Sequence, residues 1–195
     1  MTNVNMIILA AGLSTRMGRQ KLLLPFGGST VVETVISNAR AAGFNKIFAV
    51  FSQDTAARIA ASCSLLEIGI NTAPERGQSS SLLVGLEMLP DGEDFCLMLG
   101  DLPLVKPQDM AALAEAFQKL PAGKTVLTPC SGGRFGHPMF YRSLWKERFR
   151  SATGDVGGRK ILRDYDGEIV RVPAPEGHFR DLDTPEDYKA LVSEN

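Results

Sequence analysis

The sequence predicts an α/β fold, in which a mostly parallel, doubly wound sheet lies between two layers of helices in a single domain. Short apolar runs alternate along the chain with segments whose apolar residues recur at helical spacing. The runs are apolar at nearly every position, which is typical of strands buried on both faces of a parallel sheet. No linker, internal repeat or low-complexity segment interrupts the 195 residues. Alternating units of this kind form three-layer folds that bind ligands at the carboxyl ends of their strands.

Composition restricts the partners that the protein can have. The formal net charge is -1, and no run of Lys or Arg suggests binding to a nucleic acid or a membrane surface. Cys63, Cys96 and Cys130 are widely spaced and form no CxxC pair, which is typical of a protein from a reducing compartment without a local zinc motif. The apolar run at 6–11 is too short for a signal peptide or a membrane span. We therefore expect a cytoplasmic protein.

The N-terminal part of the chain is predicted to alternate strands and helices. The apolar runs predict strands over residues 6–11, 46–51, 65–70 and 95–99. Helical spacing predicts helices that begin at Thr30 and that cover residues 55–61 and 79–89. Thr30 and Glu33 form a capping box at the start of the first helix, and Gly43 ends it.

The C-terminal part of the chain is less regular. Pro107 suits the first turn of a helix, and apolar residues at helical spacing continue it. Short strands are predicted over residues 126–128, 139–141 and 169–172, and a helix over 158–164. Thr184 and Pro185 open a last helix.

A polar loop containing glycine directly follows the first strand. Ala10, Ala11 and Gly12 have little or no side chain, so a ligand can approach the backbone closely. Backbone N–H groups could cradle phosphates there, and Arg16 and Lys21 would add positive charge. The loop matches neither the P-loop nor the GxGxxG fingerprint. An ordinary loop that carries two solvated cations is the alternative.

Two aspartates occupy positions where a carboxylate could hold a divalent cation. Asp101 follows the predicted strand at 95–99, and Asp183 precedes the last helix. If the sheet brings both to one cleft, they can ligate one Mg²⁺, which prefers oxygen ligands. The alternatives are a turn-forming role for Asp101 and a helix-end role for Asp183. Asp181 could exchange roles with Asp183.

Six short segments in a fixed order carry a family resemblance. They are LAAGLSTRMGRQK at 9–21, ERGQSSSL at 75–82, LGDLP at 99–103, GHP at 136–138, GDVGGR at 154–159 and DLDTPED at 181–187. Together they resemble the signatures LAAGxSxRMGxxK, GxxxSL, GDxP, GHP, GDxGAR and DIDTPED of the nucleotidyltransferases related to MobA and MocA. Gly158 stands where the family usually has alanine. The AAG form, followed by KLLLP at 21–25, is similar to the molybdopterin cytidylyltransferase branch.

The resemblance implies a fold and an activity. The fold would be Rossmann-like, of the nucleotide-diphospho-sugar transferase type, with a nucleotide-binding part at about 1–105 and an acceptor-binding part at about 106–195. The activity would be Mg²⁺-dependent transfer of CMP from CTP, or of an NMP from another NTP, to the phosphate of molybdopterin. Pyrophosphate would be released, and Mn²⁺ is the alternative metal.

The resemblance also implies roles for individual residues. Lys21, Arg16 and Asp101 would be catalytic, with Lys21 on the α-phosphate and Arg16 on the β- and γ-phosphates, and Asp101 and Asp183 would hold the metal. The nucleotide would contact Leu9, Ala10, Ala11, Gly12, Ser14, Arg16, Lys21, Gly77, Gln78, Ser79 and Ser81. The acceptor would contact Gly136, His137, Pro138, Asp155 and Arg159. His178 and the cysteines are interpreted as structural.

Two other functions are compatible with the same residues. A nucleotidyltransferase could act on a sugar phosphate or an alcohol phosphate instead of a pterin. A non-catalytic module could bind the nucleotide or cofactor and deliver it to a molybdenum hydroxylase through a transient contact. For the leading interpretation, the expected partners are CTP or another NTP and a phosphorylated pterin, with no nucleic acid and no membrane.

Replacing Asp101 with alanine should abolish nucleotidyl transfer while leaving the fold intact, because the carboxylate would hold the metal rather than the core. Pyrophosphate release measures the rate, and circular dichroism measures the fold. An unchanged rate would remove Asp101 from the site.

Overall fold

The structure, a computed structural model, describes residues 3–44, 46–59, 66–151 and 158–193. Within these ranges the strands are β1 (Asn5–Ala10), β2 (Pro25–Phe26), β3 (Ser29–Thr30), β4 (Ile47–Ser52), β5 (Glu67–Asn71), β6 (Phe95–Leu99), β7 (Val126–Ser131), β8 (Arg134–Phe135), β9 (Met139–Tyr141) and β10 (Ile169–Val172). The helices are α1 (Val31–Ala41), α2 (Gln53–Ile59), α3 (Gln78–Met88), α4 (Pro107–Gln118), α5 (Trp145–Ser151), α6 (Gly158–Asp164) and α7 (Pro185–Ser193). None of these helices is both long and apolar enough to cross a membrane.

The predicted α/β fold is confirmed, and the predicted strands and helices occur in the predicted order. The predicted second helix and third strand include residues 60, 61 and 65, which lie outside the described residues. The capping box of α1 is present, since Thr30 Oγ1 accepts from the Glu33 backbone N–H at 3.4 Å and Glu33 Oε2 accepts from the Thr30 backbone N–H at 3.0 Å.

The main sheet is mixed, with the strand order β10-β7-β9-β6-β1-β4-β5 and with β8 paired to β7. The β1 strand pairs in parallel with β4 and β6, β4 pairs in parallel with β5, and β7 pairs in parallel with β10. The β9 strand runs antiparallel between β6 and β7. The sequence pattern predicted the strands but not this reversal.

Two consecutive glycines produce the reversal. Gly132 and Gly133 have positive φ angles of 55° and 79° and join Ser131 to Arg134, which pair across a two-residue hairpin. Left-handed conformations at both central residues match the twist of the flanking strands, which is why glycine is favoured there. The chain then enters the sheet as β9, whose first residue, Met139, pairs with Leu97, the middle residue of β6. Because β9 runs antiparallel to β6, the segment that leads into β9 lies towards the carboxyl end of β6.

Alternate residues of β1 face opposite sides of the sheet. Met6 and Ile8 belong to a core cluster that includes α1 and α4, whereas Ile7 belongs to a cluster that includes α3, α5 and α6. Because successive side chains of a strand point to opposite faces, an apolar run buries both layers at once. The three-layer arrangement predicted from the apolar runs is thus observed.

A third core cluster joins the two ends of the chain. Its buried members come from the loop after β1, the β2–β3 hairpin, α1 and the region of α7: Met17, Leu24, Phe26, Val31, Leu182 and Leu191. Tyr188 Oη also donates to the Pro25 carbonyl at 2.7 Å. This packing fixes the segment before α7 against the loop after β1.

The α5 helix was not predicted. Trp145 and Phe149 project from it onto Tyr141 of β9, with ring centroids 5.5 and 5.2 Å from the tyrosine ring. Trp145 Nε1 donates to Thr125 Oγ1 at 2.8 Å, so the buried indole keeps a polar partner. The helix is short and is held by this aromatic packing rather than by a long amphipathic repeat.

Replacing Gly100 with alanine should destabilise the fold by about 1–3 kcal/mol, since overpacking costs this much. Its Cβ would lie 2.9 Å from Ala10 Cβ and 3.4 Å from the Leu9 carbonyl, which accepts from the Gly100 N–H at 2.9 Å. Urea denaturation measures the loss.

The control is Gly12→Ala, because no atom lies within 4 Å of a Cβ at Gly12. Its stability should stay within about 0.5 kcal/mol of that of the wild type. Equal losses in the two variants would contradict this account of Gly100.

Candidate active site

A cavity of about 760 Å³ opens at the carboxyl edge of β1 and β6. Its walls come from the loop after β1, the segment that enters α3, the ends of β1 and β6, and the start of β9. The predicted nucleotide contacts that line it are Leu9, Ala10, Ala11, Gly12, Ser14, Lys21, Gly77, Gln78, Ser79 and Ser81. The fold therefore brings these residues to one place, although the two groups are far apart in sequence.

The topology explains why the cavity lies at this edge. From β1 the chain passes to β4 and β5 on one side and then returns to β6 on the other side. The loops that follow β1 and β6 consequently leave the sheet in opposite directions and open a crevice between them. Gly12 lies in the first of these loops and Asp101 lies in the second.

Hydrogen bonds fix the loop after β1 in one shape. Ser14 adopts a left-handed backbone conformation, and its Oγ donates to Gln20 Oε1 at 2.8 Å and accepts from the Lys21 backbone N–H at 3.2 Å. Gln20 Nε2 in turn donates to Thr55 Oγ1 of α2 at 2.9 Å. Sequence reasoning missed Gln20 and Thr55, because a hydrogen bond between distant polar residues leaves no local pattern. These bonds hold Lys21 at the cavity.

Gly12 leaves room for a ligand. No protein atom lies within 4 Å of the place where a Cβ would be, and its φ is not in the left-handed region. Neither packing nor backbone conformation therefore requires glycine here. Gly12 lines the cavity, so the space that a side chain would fill is open to a ligand. A ligand can therefore approach the backbone closely at this residue.

Three charged side chains meet at the centre of the cavity. Lys21 Nζ donates to Asp101 Oδ2 at 2.6 Å and to Asp183 Oδ1 at 2.9 Å. The side chains of Lys21 and Asp101 are only 13 % and 12 % exposed. Asp101 follows β6 after one residue, Gly100, and Asp183 is held by the neighbouring Leu182, which is fully buried in the third core cluster. The lysine and the two aspartates therefore face one another in one cleft.

Burial and charge act in opposite directions on this group. Burial raises the pKa of Asp101, while the charge and the hydrogen bond of Lys21 lower it, and the net shift is upward. Burial also works to lower the pKa of Lys21, but Asp101 and Asp183 outweigh it and leave the pKa raised. Lys21 therefore stays protonated at neutral pH.

The two carboxylates could hold a divalent cation. The described residues contain no group of three or more His, Cys, Asp or Glu side chains suited to a metal. Asp101 and Asp183 nevertheless aim oxygens at one point, and the ammonium of Lys21 occupies that point. A cation held there would complete its shell with phosphate oxygens and water, which is how Mg²⁺ is commonly bound. Asp181 also lines the cavity but is exposed.

Of the predicted acceptor contacts, His137 lines the cavity, and its Nδ1 lies 3.1 Å from the Leu97 carbonyl. Gly136 and Pro138 are buried and are not part of the lining. A Cβ at Gly136 would lie 2.7 Å from the His178 carbonyl, so backbone packing accounts for that glycine. His178 is buried, and its Nδ1 lies 2.6 Å from the His137 carbonyl, in keeping with a structural role.

Three predicted site residues fall wholly or partly outside the described part of the structure. Asp155 lies outside the described residues, and so do the side chains of Arg16 and Arg159.

Apolar side chains line the part of the cavity next to His137, and sequence reasoning missed them as site residues. They come mainly from β9, the end of β8 and the helices below: Leu97, Phe135, Met139, Tyr141, Phe149 and Leu162. The sequence pattern marked β9 only as a buried strand, because a residue that lines a cavity has the same apolar character as one in the core. The cavity therefore has a charged end at Lys21 and an apolar end at β9.

Comparison with known proteins places the chain among nucleotidyltransferases. The family model described as "MobA-like NTP transferase domain" matches residues 6–169. The purine catabolism protein PucB of Bacillus subtilis is 25% identical over 93% of this chain and 92% of its own length. The bifunctional protein GlmU of Geobacter sulfurreducens is 29% identical over 88% of this chain, which spans 33% of GlmU.

Solved structures share the fold. The crystal structure of Rv0371c from Mycobacterium tuberculosis superposes with a TM-score of 0.82 at 23% identity, over 98% of each chain. A second structure of that protein, a complex with manganese, superposes with a TM-score of 0.76 at 24% identity, over the whole of both chains. These superpositions show that the chain shares their fold.

Replacing Lys21 with methionine should tighten Mn²⁺ binding to the nucleotide-free protein about tenfold, or ~1.4 kcal/mol. The ammonium competes with a divalent cation for the two carboxylates, and methionine removes the charge while keeping most of the side-chain length. Titration followed by electron paramagnetic resonance measures the free Mn²⁺.

The matched control is Lys106→Met, which removes an exposed cation at the start of α4. Mn²⁺ binding should not change in this variant. Unchanged or weaker Mn²⁺ binding in Lys21→Met would contradict the competition.

Proposed function

We propose that this chain, which belongs to the MobA-like NTP transferase family and is a nucleotidyltransferase, transfers CMP from CTP to the phosphate of molybdopterin and releases pyrophosphate. The observation that carries the proposal is the two-ended cavity, in which a charged end adjoins an apolar end. Residues 1–105 would supply most of the nucleotide-binding part, and residues 106–195 most of the acceptor-binding part. The protein would act in the cytoplasm.

The reaction requires positioning and charge neutralisation rather than a covalent nucleophile. An oxygen of the acceptor phosphate forms a bond to the α-phosphorus of CTP, while the bond from that phosphorus to the oxygen shared with the β-phosphate breaks. Both reactants are anions, so the protein has to hold them close against their mutual repulsion. The group of Lys21, Asp101 and Asp183 is suited to this task.

Lys21 would stabilise the transition state at the α-phosphate. Its raised pKa keeps the ammonium charged, and the Ser14–Gln20 hydrogen bonds keep its backbone at the cavity wall. Once CTP is bound, we expect the ammonium of Lys21 to leave the carboxylates and to bind the phosphate oxygens instead. Arg16 would bind the β- and γ-phosphates, as the family resemblance implies.

Asp101 and Asp183 would hold a divalent cation, Mg²⁺ or Mn²⁺, that neutralises charge on the α-phosphate when it is bound. Asp101 is held rigidly because it is buried directly after β6. We assign Asp183 rather than Asp181 as the second ligand, since Asp183 shares the Lys21 ammonium with Asp101 whereas Asp181 is exposed.

The apolar end favours a flat heteroaromatic acceptor. Phe135, which is only partly buried, offers a ring surface and Met139 a thioether, against which a pterin could pack by dispersion. A sugar ring carries several hydroxyls, and each loses free energy when it is buried without a hydrogen-bond partner. His137 also lines the cavity, where it could bind the acceptor phosphate.

The choice of CTP is supported by the AAG and KLLLP segments, which resemble the cytidylyltransferase branch. Gln78, Ser79 and Ser81 line the cavity beside the loop after β1, where the base would lie. A delivery module that only carries nucleotide would not require a lysine and two carboxylates at one point. Transient contact with a molybdenum hydroxylase is compatible with the catalytic proposal.

Pyrophosphate release tests the proposal. Each of the four common NTPs is incubated with Mg²⁺, alone, with molybdopterin, or with a panel of sugar phosphates. We expect release with CTP only when molybdopterin is present. Turnover with a sugar phosphate would support the alternative acceptor class, and CTP binding without pyrophosphate release would support a delivery module; either result would overturn the proposal.

A further inference from the structure

Asn71 is the last residue of β5 and is almost fully buried beside the segment that enters α3. It is not part of the cavity lining, whereas Ser81, with which it is hydrogen-bonded, is part of that lining. A buried amide that is hydrogen-bonded to a cavity-lining hydroxyl can control whether that hydroxyl donates or accepts a hydrogen bond in the cavity.

The orientation of the Asn71 amide is fixed by the backbone. The Ala73 N–H donates to Asn71 Oδ1 at 2.9 Å, and a backbone N–H can only donate. The other amide atom must therefore be the nitrogen, whose two hydrogens are donated to Ser80 Oγ and to Ser81 Oγ, each at 2.9 Å. Three of the four hydrogen-bonding positions of the Asn71 amide, including both of its N–H groups, are thus used within the protein.

The two serines differ in what they do with their own hydrogen. Ser80 Oγ lies 2.8 Å from the Gly77 carbonyl and 3.2 Å from the Ala73 carbonyl, so its hydrogen has an acceptor. Ser81 Oγ accepts from Asn71 and, in the described part of the chain, has no acceptor for its hydrogen within hydrogen-bond distance. Since Ser81 lines the cavity, that hydrogen is available to a ligand.

We propose that Asn71 is a positioning residue that makes Ser81 a hydrogen-bond donor to the base of the bound nucleotide. Donation from Asn71 uses an acceptor site of the Ser81 hydroxyl and leaves its hydrogen directed into the cavity. The proposal rests on the proposed function for the identity of the base. Cytosine presents its O2 and N3 atoms as acceptors, and a hydroxyl donor complements either of them.

Asn71→Asp tests the proposal because aspartate has nearly the same shape but cannot donate. One carboxylate oxygen would still accept from Ala73, and the other would accept from the serine hydroxyls. The Ser81 hydrogen would then turn away from the cavity, and its lone pairs would face the base. CTP should bind about tenfold more weakly, as expected when one hydrogen bond is lost and an acceptor faces an acceptor.

Inorganic tripolyphosphate is the matched probe, since it lacks a base. Calorimetric titration of Asn71→Asp with Mg²⁺ should show unchanged tripolyphosphate binding beside weakened CTP binding. Equal weakening of both ligands would mean that Asn71 only supports the loop, and unchanged CTP binding would mean that it does not act on the base; either result overturns the proposal.

Three further variants keep the test independent of folding. Ser81→Ala should also weaken CTP binding, by no more than Asn71→Asp, because it removes the same donor without turning an acceptor toward the base. The double variant should lose no more than Asn71→Asp alone, since both changes act on one hydrogen bond. Ser80→Ala should leave CTP binding unchanged. If Asn71→Asp does not fold, Ser81→Ala with the same two ligands decides the question, and equal binding of CTP by Ser81→Ala and wild type overturns the proposal.

A wrong proposed function and a wrong role for Asn71 would give different experimental results. These titrations need no acceptor, so a wrong acceptor does not affect them. A wild-type protein that prefers another NTP to CTP would contradict the choice of base, and the same variants would then be titrated with the preferred NTP. Weaker binding of that NTP with unchanged binding of tripolyphosphate would still support the role of Asn71. Equal weakening of both ligands would overturn it.

Discussion

The position of a single ammonium group, Lys21 Nζ, depends on three distant parts of the chain. Placing two carboxylates close together in a partly buried site is unfavourable unless a cation lies between them. Lys21 Nζ supplies that cation, with Asp101 at 2.6 Å and Asp183 at 2.9 Å. The β6 strand delivers Asp101, the third core cluster holds the segment of Asp183, and the Ser14–Gln20 bonds hold the loop of Lys21. The packing of the N-terminal and C-terminal parts of the chain therefore determines where this ammonium lies.

The mixed sheet gives the cavity its second end. The hairpin at Gly132 and Gly133 turns the chain back, so that the segment leading into β9 lies towards the edge where β6 ends. Without that reversal His137 and Met139 would not reach the loops that follow β1 and β6. The parallel part of the sheet thus contributes the charged residues of the cavity wall, and the antiparallel β9 contributes apolar ones.

Sequence patterns predicted those features that depend on local chemistry. Apolar runs predict buried strands such as β1, the Thr30–Glu33 pair predicts a helix start, and an aspartate directly after a strand predicts a rigid carboxylate. Features that depend on distant contacts were missed. The Gln20–Thr55 hydrogen bond, the antiparallel course of β9 and the aromatic packing that holds α5 each join residues whose proximity no local pattern encodes. The same limit applies to Asn71, whose amide is oriented by a backbone group that only the fold identifies.

A crystal structure of the protein with CTP and Mn²⁺, read from the anomalous scattering of manganese, tests the central claim most directly. The account predicts a manganese ion between Asp101, Asp183 and the α-phosphate, with Lys21 Nζ displaced from the carboxylates onto the phosphate oxygens. A triphosphate bound away from these three side chains, or a Lys21 that still bridges both carboxylates beside bound CTP, would contradict it.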